Sequence, residues 1–274
     1  APQIGKGVGI IGKTLINVGS EKLKKEFLPK ILDAEVEFAV GYSEPMAGSD
    51  AAAMRLKAER KGDKWVPNGQ KIFTPSAHFA DWYWVGARTN PAVPKHHGIA
   101  LFLLRMDDPG LEVHPIYTMG GERTNSVFFD NVEVHDDYRV GEEGKGWTYG
   151  KVLLQHERTG TAGVARSKYR LKKLRTQAEQ QIRGVAPLQL DGSFMRKLAA
   201  TEVELRALEF TELRTLTAVA SGKAPGPESS ILKFKGTELQ QAIDALYVEA
   251  AGYYALPYVP DQYSLNSDGS DHIG

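Results

Sequence analysis

Gly41-Tyr42-Ser43-Glu44-Pro45-Met46-Ala47-Gly48-Ser49-Asp50 is the most informative stretch of this sequence. Its composition predicts a loop that leaves a β-strand. Ser43 and Ser49 supply hydroxyls, and the glycines permit another group to approach the backbone closely. Such a loop can hold a polar heterocycle through its hydroxyls and backbone N–H groups. A tight turn with a purely structural role is the alternative, and this stretch alone leaves both interpretations open.

The residues around this loop fall into three regions of different texture. Residues 5–32 carry an apolar stripe typical of helix, and Ser20 is the predicted N-cap of a second helix. Pro29 is expected to bend or shorten that second helix. From about Val36 to Asp137, short apolar or β-branched runs are separated by Gly, Pro and Asp. This pattern predicts about seven strands in a small sandwich or barrel, with Asn68-Gly69 as one of the turns.

After Gly146 the sequence again predicts helix. Three long helices are expected, over residues 147–182, 194–221 and 229–254, in the manner of an antiparallel bundle. The predicted fold class is therefore α+β. Its expected parts are the end of an N-terminal helical domain (1–35), a central antiparallel β-barrel or sandwich domain (36–139) and an incomplete C-terminal helical domain (140–274).

Composition excludes several classes of protein. The chain has 274 residues, of which 42% are hydrophobic and 25% charged, as in ordinary globular proteins. Lys plus Arg equals Asp plus Glu at 34 each, so net charge predicts neither a nucleic-acid nor a membrane partner. The absence of cysteine excludes disulfides, thiolate metal sites and a Cys nucleophile. We expect no metal, because no His or carboxylate stands at ligand spacing from His96-His97.

Taken whole, residues 43–50 resemble the flavin-loop signature of the acyl-CoA dehydrogenase family, Ser/Thr-Glu-x-x-x-Gly-Ser-Asp. Asn68-Gly69-Gln70-Lys71, followed by Phe73-Thr74, resembles the second flavin segment of that family. Residues 127–134 and then 141–147 are similar to its crossing into the C-terminal helices, and residues 19–29 to its last N-terminal helix. The resemblance covers residues 5 to about 165 well and the remainder loosely.

This resemblance implies a helix–β–helix architecture that binds FAD and an acyl-CoA thioester and dehydrogenates the substrate between its α- and β-carbons. A carboxylate must remove the α-proton, and the flavin N5 must face the β-carbon to accept a hydride. Hydrogen bonds to the thioester carbonyl stabilise the enolate-like transition state. The expected electron acceptor is an electron-transferring flavoprotein. The expected location is the cytoplasm of a bacterium, or the mitochondrial matrix of a eukaryote.

Glu157 is the predicted catalytic base. On a helix, its neighbours three and four residues away include Leu153, Leu154 and Gly160, a partly desolvated setting that disfavours the charged carboxylate. One branch of the family places its catalytic Glu immediately before an Arg on this helix, as in Glu157-Arg158. The alternative is an ordinary helical Glu paired with a nearby cation. Most family members instead carry the base in a C-terminal Tyr-x-Gly-x-x-x-Glu-Ile segment, which does not occur in this sequence.

The resemblance also implies the remaining site residues. FAD is expected to contact Tyr42, Ser43, Ser49, Phe73 and Thr74, with Arg183 at the pyrophosphate of a FAD bound in a neighbouring subunit. The acyl-CoA is expected to contact Ser49, Gln155 and Arg158. Several positions depart from the family pattern. Phe73 replaces a usual Trp, Pro75 replaces a hydroxyl or N–H donor, Arg183 lacks its usual context, and Ala250-Ala251-Gly252 replaces a Gly-Gly-x-Gly turn.

These departures resemble the heteromeric bacterial members that act on steroid side chains or dicarboxylic acyl-CoAs, in which two unlike subunits share each flavin site. We therefore expect a tetramer of like or unlike subunits. An acyl-CoA oxidase or flavin monooxygenase of the same fold is one alternative. A catalytically idle subunit that completes a paralogue's site is another. The chain lacks an initiator Met and expected helices at both ends, so we expect it to be part of a longer protein.

Overall fold

The computed structural model describes residues 5–160, 162–222, 226 and 228–256, apart from the side chains of 155–160, 228 and 229. The chain divides into two compact units, residues 1–157 and 158–274. Within the described residues, no helix is both long enough and apolar enough to cross a membrane.

The first unit begins with two helices. A π-helical turn, Gly7–Ile11, runs into α1 (Gly12–Val18), and α2 follows over Glu21–Leu32. The Ser20 hydroxyl accepts a hydrogen bond from the Leu23 N–H at 3.3 Å, which confirms the predicted N-cap. Pro29 lies inside α2, and the helix ends three residues later, at Leu32. The buried residues of α2 recur at helical spacing: Leu23, Phe27 and Ile31.

The sheet of the first unit has nine strands among the described residues. They are β1 (Phe38–Gly41), β2 (Lys57–Lys61), β3 (Lys64–Lys71), β4 (Trp82–Arg88), β5 (Ile99–Arg105), β6 (Leu111–Tyr117), β7 (Arg123–Phe129), β8 (Val134–His135) and β9 (Arg139–Val140). The main path runs β6-β7-β3-β2-β4-β5-β9, with β1 paired to β4 and β8 to β3. Most pairs are antiparallel, as predicted, but β1 and β2 each pair with β4 in parallel.

The two central strands, β4 and β5, face a different apolar core on each side. Alternate residues of a strand point to opposite faces, so a strand covered on both sides is apolar throughout. Tyr83 and Val85 of β4 lie in the core inside the sheet. Trp82 and Trp84 of the same strand pack with residues of α1 and α2, including Phe27, in a second core. This two-sided burial explains why β4 and β5 read as continuous apolar runs.

The predicted turn at Asn68-Gly69 is wrong, because both residues lie inside β3. Asn68 is the last residue of β3 that pairs with β2, and Gly69 is the first that pairs with β7. Gly69 has a φ of +137°, a backbone conformation that side-chain-bearing residues rarely adopt. The glycine therefore lets one strand leave one neighbour and join another, rather than reverse its direction.

The second region of helix contains, among the described residues, one more α-helix than predicted and a short hairpin. The expected helix over 147–182 is instead α3 (Gly146–Gly160) and α4 (Val164–Gln180), because Gly163, at the N-cap of α4, adopts a left-handed conformation with a φ of +61°. The short strands β10 (Ile182–Arg183) and β11 (Ala186–Pro187) form a hairpin. The other two helices are α5 (Gly192–Ala220) and α6 (Glu228–Ala251). Helices α4, α5 and α6 share an apolar core that includes Leu171, Leu198 and Ile243.

Asp136 generates a prediction about acid stability. Its carboxylate accepts hydrogen bonds from Arg139 Nε at 2.8 Å and from Trp65 Nε1 at 2.7 Å, and these bonds lower its pKa to about 2. A carboxylate with a lowered pKa stabilises the fold above its unfolded-state pKa of about 4, and that contribution is lost as pH falls through about 2. We therefore expect Asp136→Asn to lower the free energy of unfolding by about 2 kcal/mol at pH 7.

Urea unfolding at pH 7, 4 and 2.5 measures this contribution. The difference between wild type and Asp136→Asn should shrink as the pH approaches 2. Glu133→Gln, which removes the exposed partner of Lys64, is the control and should leave the unfolding midpoint unchanged at each pH. A difference for Asp136→Asn that stays constant from pH 7 to 2.5 would contradict the assignment.

Candidate functional site

A buried ion pair joins the loop after β1 to the end of β3. Lys71 Nζ lies 2.8 Å from Glu44 Oε1, and both side chains are buried, with that of Lys71 fully enclosed. The Glu44 carboxylate also accepts the backbone N–H groups of Arg55 at 2.6 Å and Leu56 at 2.8 Å. Lys71 also donates to the Tyr42 carbonyl at 3.2 Å. One pair of charges thus holds three separate segments of chain together.

Burial lowers the pKa of Lys71 to about 8, against the opposing effect of the Glu44 carboxylate. The ammonium is therefore still mostly protonated at pH 7. A charge in such a place costs several kcal/mol unless it is paired and hydrogen-bonded. The carboxylate of Glu44 and the Tyr42 carbonyl supply those partners.

The loop of residues 41–50 has an anchored base and an exposed tip. Glu44 and Ala47 exchange two backbone hydrogen bonds of 2.9 and 3.0 Å, which close a tight turn. Beyond that turn, Ser49 is exposed, and a Cβ placed on Gly48 would meet no atom within 4 Å. At the base, the Ser43 carbonyl accepts the Ile72 N–H at 3.0 Å. The loop thus lies directly beside the residues that follow β3.

Those following residues have an unusual backbone. Phe73 and Ser76 both have positive φ angles, +53° and +66°, which are uncommon for residues other than glycine. The Phe73 side chain is 61% exposed. Thr74 is fully buried, and its hydroxyl lies 2.8 Å from the Tyr83 hydroxyl. The segment therefore exposes the Phe73 ring on the surface of the unit, whereas the next residue, Thr74, is buried inside it.

Four of the residues predicted to contact FAD, namely Tyr42, Ser43, Phe73 and Thr74, lie on these two adjoining segments, and Ser49 lies at the exposed tip of the first. Tyr42 is half-buried, and its hydroxyl accepts the Trp84 Nε1–H at 2.7 Å. The Ser43–Ile72 hydrogen bond and the Glu44–Lys71 pair bring the two segments together. Contact of any of these residues with FAD stays a prediction.

Arg183 lies in the second unit, on the β10–β11 hairpin. Its Nη1 is 3.3 Å from Asp191 Oδ2 and 3.8 Å from Glu249 Oε1. A cleft of about 510 Å³ is lined by Arg183 and by residues 250–252 at the end of α6, among other residues. Arg183, the residue expected at a FAD pyrophosphate, thus lies in one cleft with the residues that replace the Gly-Gly-x-Gly turn. Contact of Arg183 with FAD stays a prediction.

The remaining predicted residues lie around the end of α3. Gln155, Glu157 and Arg158 belong to this helix, and their side chains are outside the described residues. Leu153, one turn before Glu157, is fully buried in the core shared with α1 and α2. The part of α3 that leads to Glu157 thus belongs to the first unit, and the role of the Glu157 carboxylate stays a prediction.

Sequence reasoning missed the importance of Lys71, Tyr83 and Asn125. The sequence indicated Lys71 only as part of a motif. Lys71 stands an even number of residues after the buried Trp65 on β3, so the alternation of the strand predicts that it faces inward. Asn125 likewise stands in phase with the buried Val127 and Phe129 on β7. A polar residue at an inward position of a strand was the available signal. Among the described residues, no cluster of His, Cys, Asp or Glu is arranged to hold a metal ion.

Known proteins resemble the chain over most of its length. The protein-family model "Acyl-CoA dehydrogenase, middle domain" matches residues 39–132, and the family model "Acyl-CoA dehydrogenase, C-terminal domain" matches residues 144–267. Acyl-CoA dehydrogenase FadE29 of Mycobacterium tuberculosis is 37% identical in an alignment of 263 residues, and the match covers 93% of this chain and 66% of FadE29. The chain thus spans just under two thirds of that relative's length.

Solved structures give the same result. The Tcur3481-Tcur3483 steroid ACAD is 31% identical with a TM-score of 0.86, and the match covers 93% of this chain and 65% of that chain. The ChsE4-ChsE5 complex from Mycobacterium tuberculosis is 32% identical with a TM-score of 0.81, and the match covers 93% and 66%.

The Glu44–Lys71 pair generates a stability prediction. Glu44→Gln leaves the Lys71 ammonium without its counter-charge, and breaking one side of a buried pair costs about 3 kcal/mol. The free energy of unfolding should fall by about that amount in chemical denaturation at pH 7. The matched control is Glu59→Gln, which breaks the exposed Lys57–Glu59 pair and should leave stability unchanged. Equal behaviour of the two variants would show that the buried pair stabilises nothing.

Proposed function

The chain belongs to the acyl-CoA dehydrogenase family, and on that premise we propose that it is a subunit of an FAD-dependent enzyme that dehydrogenates an acyl-CoA thioester. The observation that carries the proposal is the junction made by the Glu44–Lys71 pair. It holds the loop 41–50 against the segment after β3, so that hydroxyl-bearing residues and an exposed aromatic ring adjoin. The activity, the substrate and the partners of the whole protein are all part of this proposal.

The chemistry of the residues fits a flavin. When bound, FAD supplies the acceptor for a hydride from the substrate β-carbon. Ser43, Ser49 and Phe73 would hold its ring system, because hydroxyls suit the polar edge of the flavin and an aromatic side chain suits its face. Tyr42 and Thr74 would border the same ring. Gly48 leaves open space beside the loop. Arg183 would bind a pyrophosphate oxygen of the FAD held by a neighbouring subunit, in competition with Asp191 and Glu249.

Glu157 would act as the general base. The substrate loses a proton from Cα to the Glu157 carboxylate and a hydride from Cβ, and the product is the α,β-unsaturated thioester. Ser49, Gln155 and Arg158 would bind and orient the acyl-CoA, so that Cα lies within reach of that carboxylate. An electron-transferring flavoprotein would reoxidise the enzyme.

The visible spectrum of the purified protein tests this proposal. The protein should be prepared alone and co-expressed with the product of a neighbouring gene. The expected result is bound flavin in at least one preparation, with absorption that bleaches when acyl-CoA is added. Flavin-free protein in both preparations, or bound flavin that no acyl-CoA bleaches, would overturn the proposal.

A second candidate is a catalytically idle subunit that completes the site of an unlike partner. The contacts of Arg183 favour it, because two carboxylates already partner this guanidinium and weaken its attraction for a pyrophosphate. The flavin content of the assembled protein separates the two candidates. One FAD per two chains, bleached equally when Glu157 is replaced in this chain, would support the idle subunit.

The same comparison supports an expectation about the assembly state. The names of both similar structures state two components, ChsE4-ChsE5 and Tcur3481-Tcur3483, and the second is called a steroid ACAD. We expect this protein to form a tetramer with two copies of each of two unlike subunits. Its expected substrate is an acyl-CoA, with a steroid side chain as one candidate acyl group. Light scattering of the protein alone and with its neighbour measures the mass. A stable, active homotetramer would exclude the unlike partner, and an active monomer would exclude any assembly.

Glu157→Gln tests the base. The amide keeps the size of the side chain but cannot accept a proton, so flavin reduction by acyl-CoA should slow by about 10²- to 10⁴-fold while substrate binding is largely retained. Stopped-flow absorbance of the flavin measures this rate. Glu179→Gln, the same change at an exposed position of α4, is the control and should reduce flavin at the wild-type rate. Reduction of Glu157→Gln at the wild-type rate would place the base elsewhere.

A further inference from the structure

The backbone around Phe73 departs from the regular β3·β7 ladder in one defined way. Lys71 pairs with Val127, so a continued ladder would place residue 73 opposite Asn125. Instead the N–H of Thr74 donates to the Asn125 carbonyl at 2.9 Å. Phe73 is therefore an extra residue, in a left-handed conformation, at the end of the pairing. This is the arrangement of a β-bulge, which re-aims a side chain.

The side chain of Asn125 closes this bulge from the other side. Its Nδ2 donates to the Thr74 carbonyl at 2.9 Å, so Thr74 is bonded to Asn125 through both its N–H and its C=O. The orientation of the amide is determined by its partners. Arg123 Nε–H can only donate, and it meets Oδ1 at 2.9 Å, whereas the Thr74 carbonyl can only accept.

The second hydrogen of Nδ2 also has a partner. His78 Nδ1 lies 3.3 Å away. Burial lowers the pKa of His78, and the cations of Arg123 and Lys6 lower it further, so the neutral ring can accept this hydrogen bond near pH 7. Asn125 is fully buried, and all the donors and the acceptor of its side chain are engaged. An amide so placed fixes its neighbours rigidly.

We infer that Asn125 is a positioning residue, which closes the bulge at Phe73 through Thr74 and so holds the Phe73 ring toward the flavin. Asn125 touches neither cofactor nor substrate in this account. Hydrogen bonds of the next residue hold Phe73 in its left-handed conformation. The backbone of Thr74 is hydrogen-bonded to Asn125, and its hydroxyl is hydrogen-bonded to that of Tyr83. The role of Phe73 at the flavin rests on the proposed function, whereas the closure of the bulge does not.

The test compares Asn125→Asp with Asn90→Asp, a change at an exposed position outside both flavin segments. Both changes replace an amide by a carboxylate of the same shape. The carboxylate at 125 cannot donate to the Thr74 carbonyl. Among the described residues, Asn90 uses only its Oδ1, which accepts the Ala92 N–H at 2.9 Å, and a carboxylate keeps that bond. Asn125→Ala removes the same donor without adding a charge and serves if the Asp variant does not fold.

Two measurements are made on each protein. Amide hydrogen exchange without FAD should quicken by about tenfold or more at Phe73, Thr74 and Ser76 in Asn125→Asp and stay at the wild-type rate in Asn90→Asp. FAD titration should show affinity reduced by about tenfold in Asn125→Asp, with a shifted spectrum of the bound flavin, and no change in Asn90→Asp.

The outcomes separate this inference from the proposed function. If wild type takes up no FAD, with or without its partner, the proposed function fails together with the flavin role of Phe73, and exchange still decides whether Asn125 closes the bulge. If wild type binds FAD and Asn125→Asp matches it in affinity and spectrum, the inference is overturned even where the variant melts at a lower temperature. Unchanged exchange at Phe73, Thr74 and Ser76 overturns it as well.

Discussion

The buried Glu44–Lys71 pair is the interaction on which the candidate site depends. Two opposite charges lie where water is excluded, and each has further hydrogen-bond partners from the backbone. Such pairs add little net stability over an apolar core, but they strongly disfavour any arrangement that leaves one charge alone. Because Glu44 follows β1 and Lys71 ends β3, the pair permits one mutual placement of the two segments. The bulge at Phe73 begins two residues after Lys71, so the pair also fixes the position of the bulge relative to the loop that carries Glu44.

Strand β4 of the first unit packs against both segments of this junction. Gly41 lies so close to Tyr83 that a Cβ there would stand 2.2 Å from the phenolic oxygen. Tyr83 in turn meets the hydroxyl of Thr74, and its ring stacks on Phe129 with centroids 5.8 Å apart. The same central strand, β4, thus contacts both the start of the loop and the anchored residue beside Phe73. A site assembled on a strand buried on both faces is held more rigidly than one carried by loops alone.

Local patterns in the sequence predicted the features that local physics determines. The Ser20 cap follows from neighbouring residues, and β4 and β5 follow from their apolar runs. Asn68-Gly69 was misassigned because a glycine with positive φ serves a turn and a strand crossing equally well, and only the partner strands distinguish them. The break between α3 and α4 at Gly163 was not predicted, because a single glycine also occurs inside helices. The alternation along β7 indicates that Asn125 faces inward, but its partner, Thr74, lies 51 residues away, and no local pattern predicts that contact.

The central claim is that the two segments joined by Glu44 and Lys71 form the surface on which a flavin lies. A crystal structure of the protein with FAD, alone or with its partner subunit, tests this claim most directly. The account predicts the flavin ring in van der Waals contact with Phe73 and hydrogen-bonded by the loop that carries Ser43 and Ser49, with the Glu44–Lys71 pair intact beneath. A flavin bound elsewhere on the chain, with Phe73 still exposed to solvent, would contradict it.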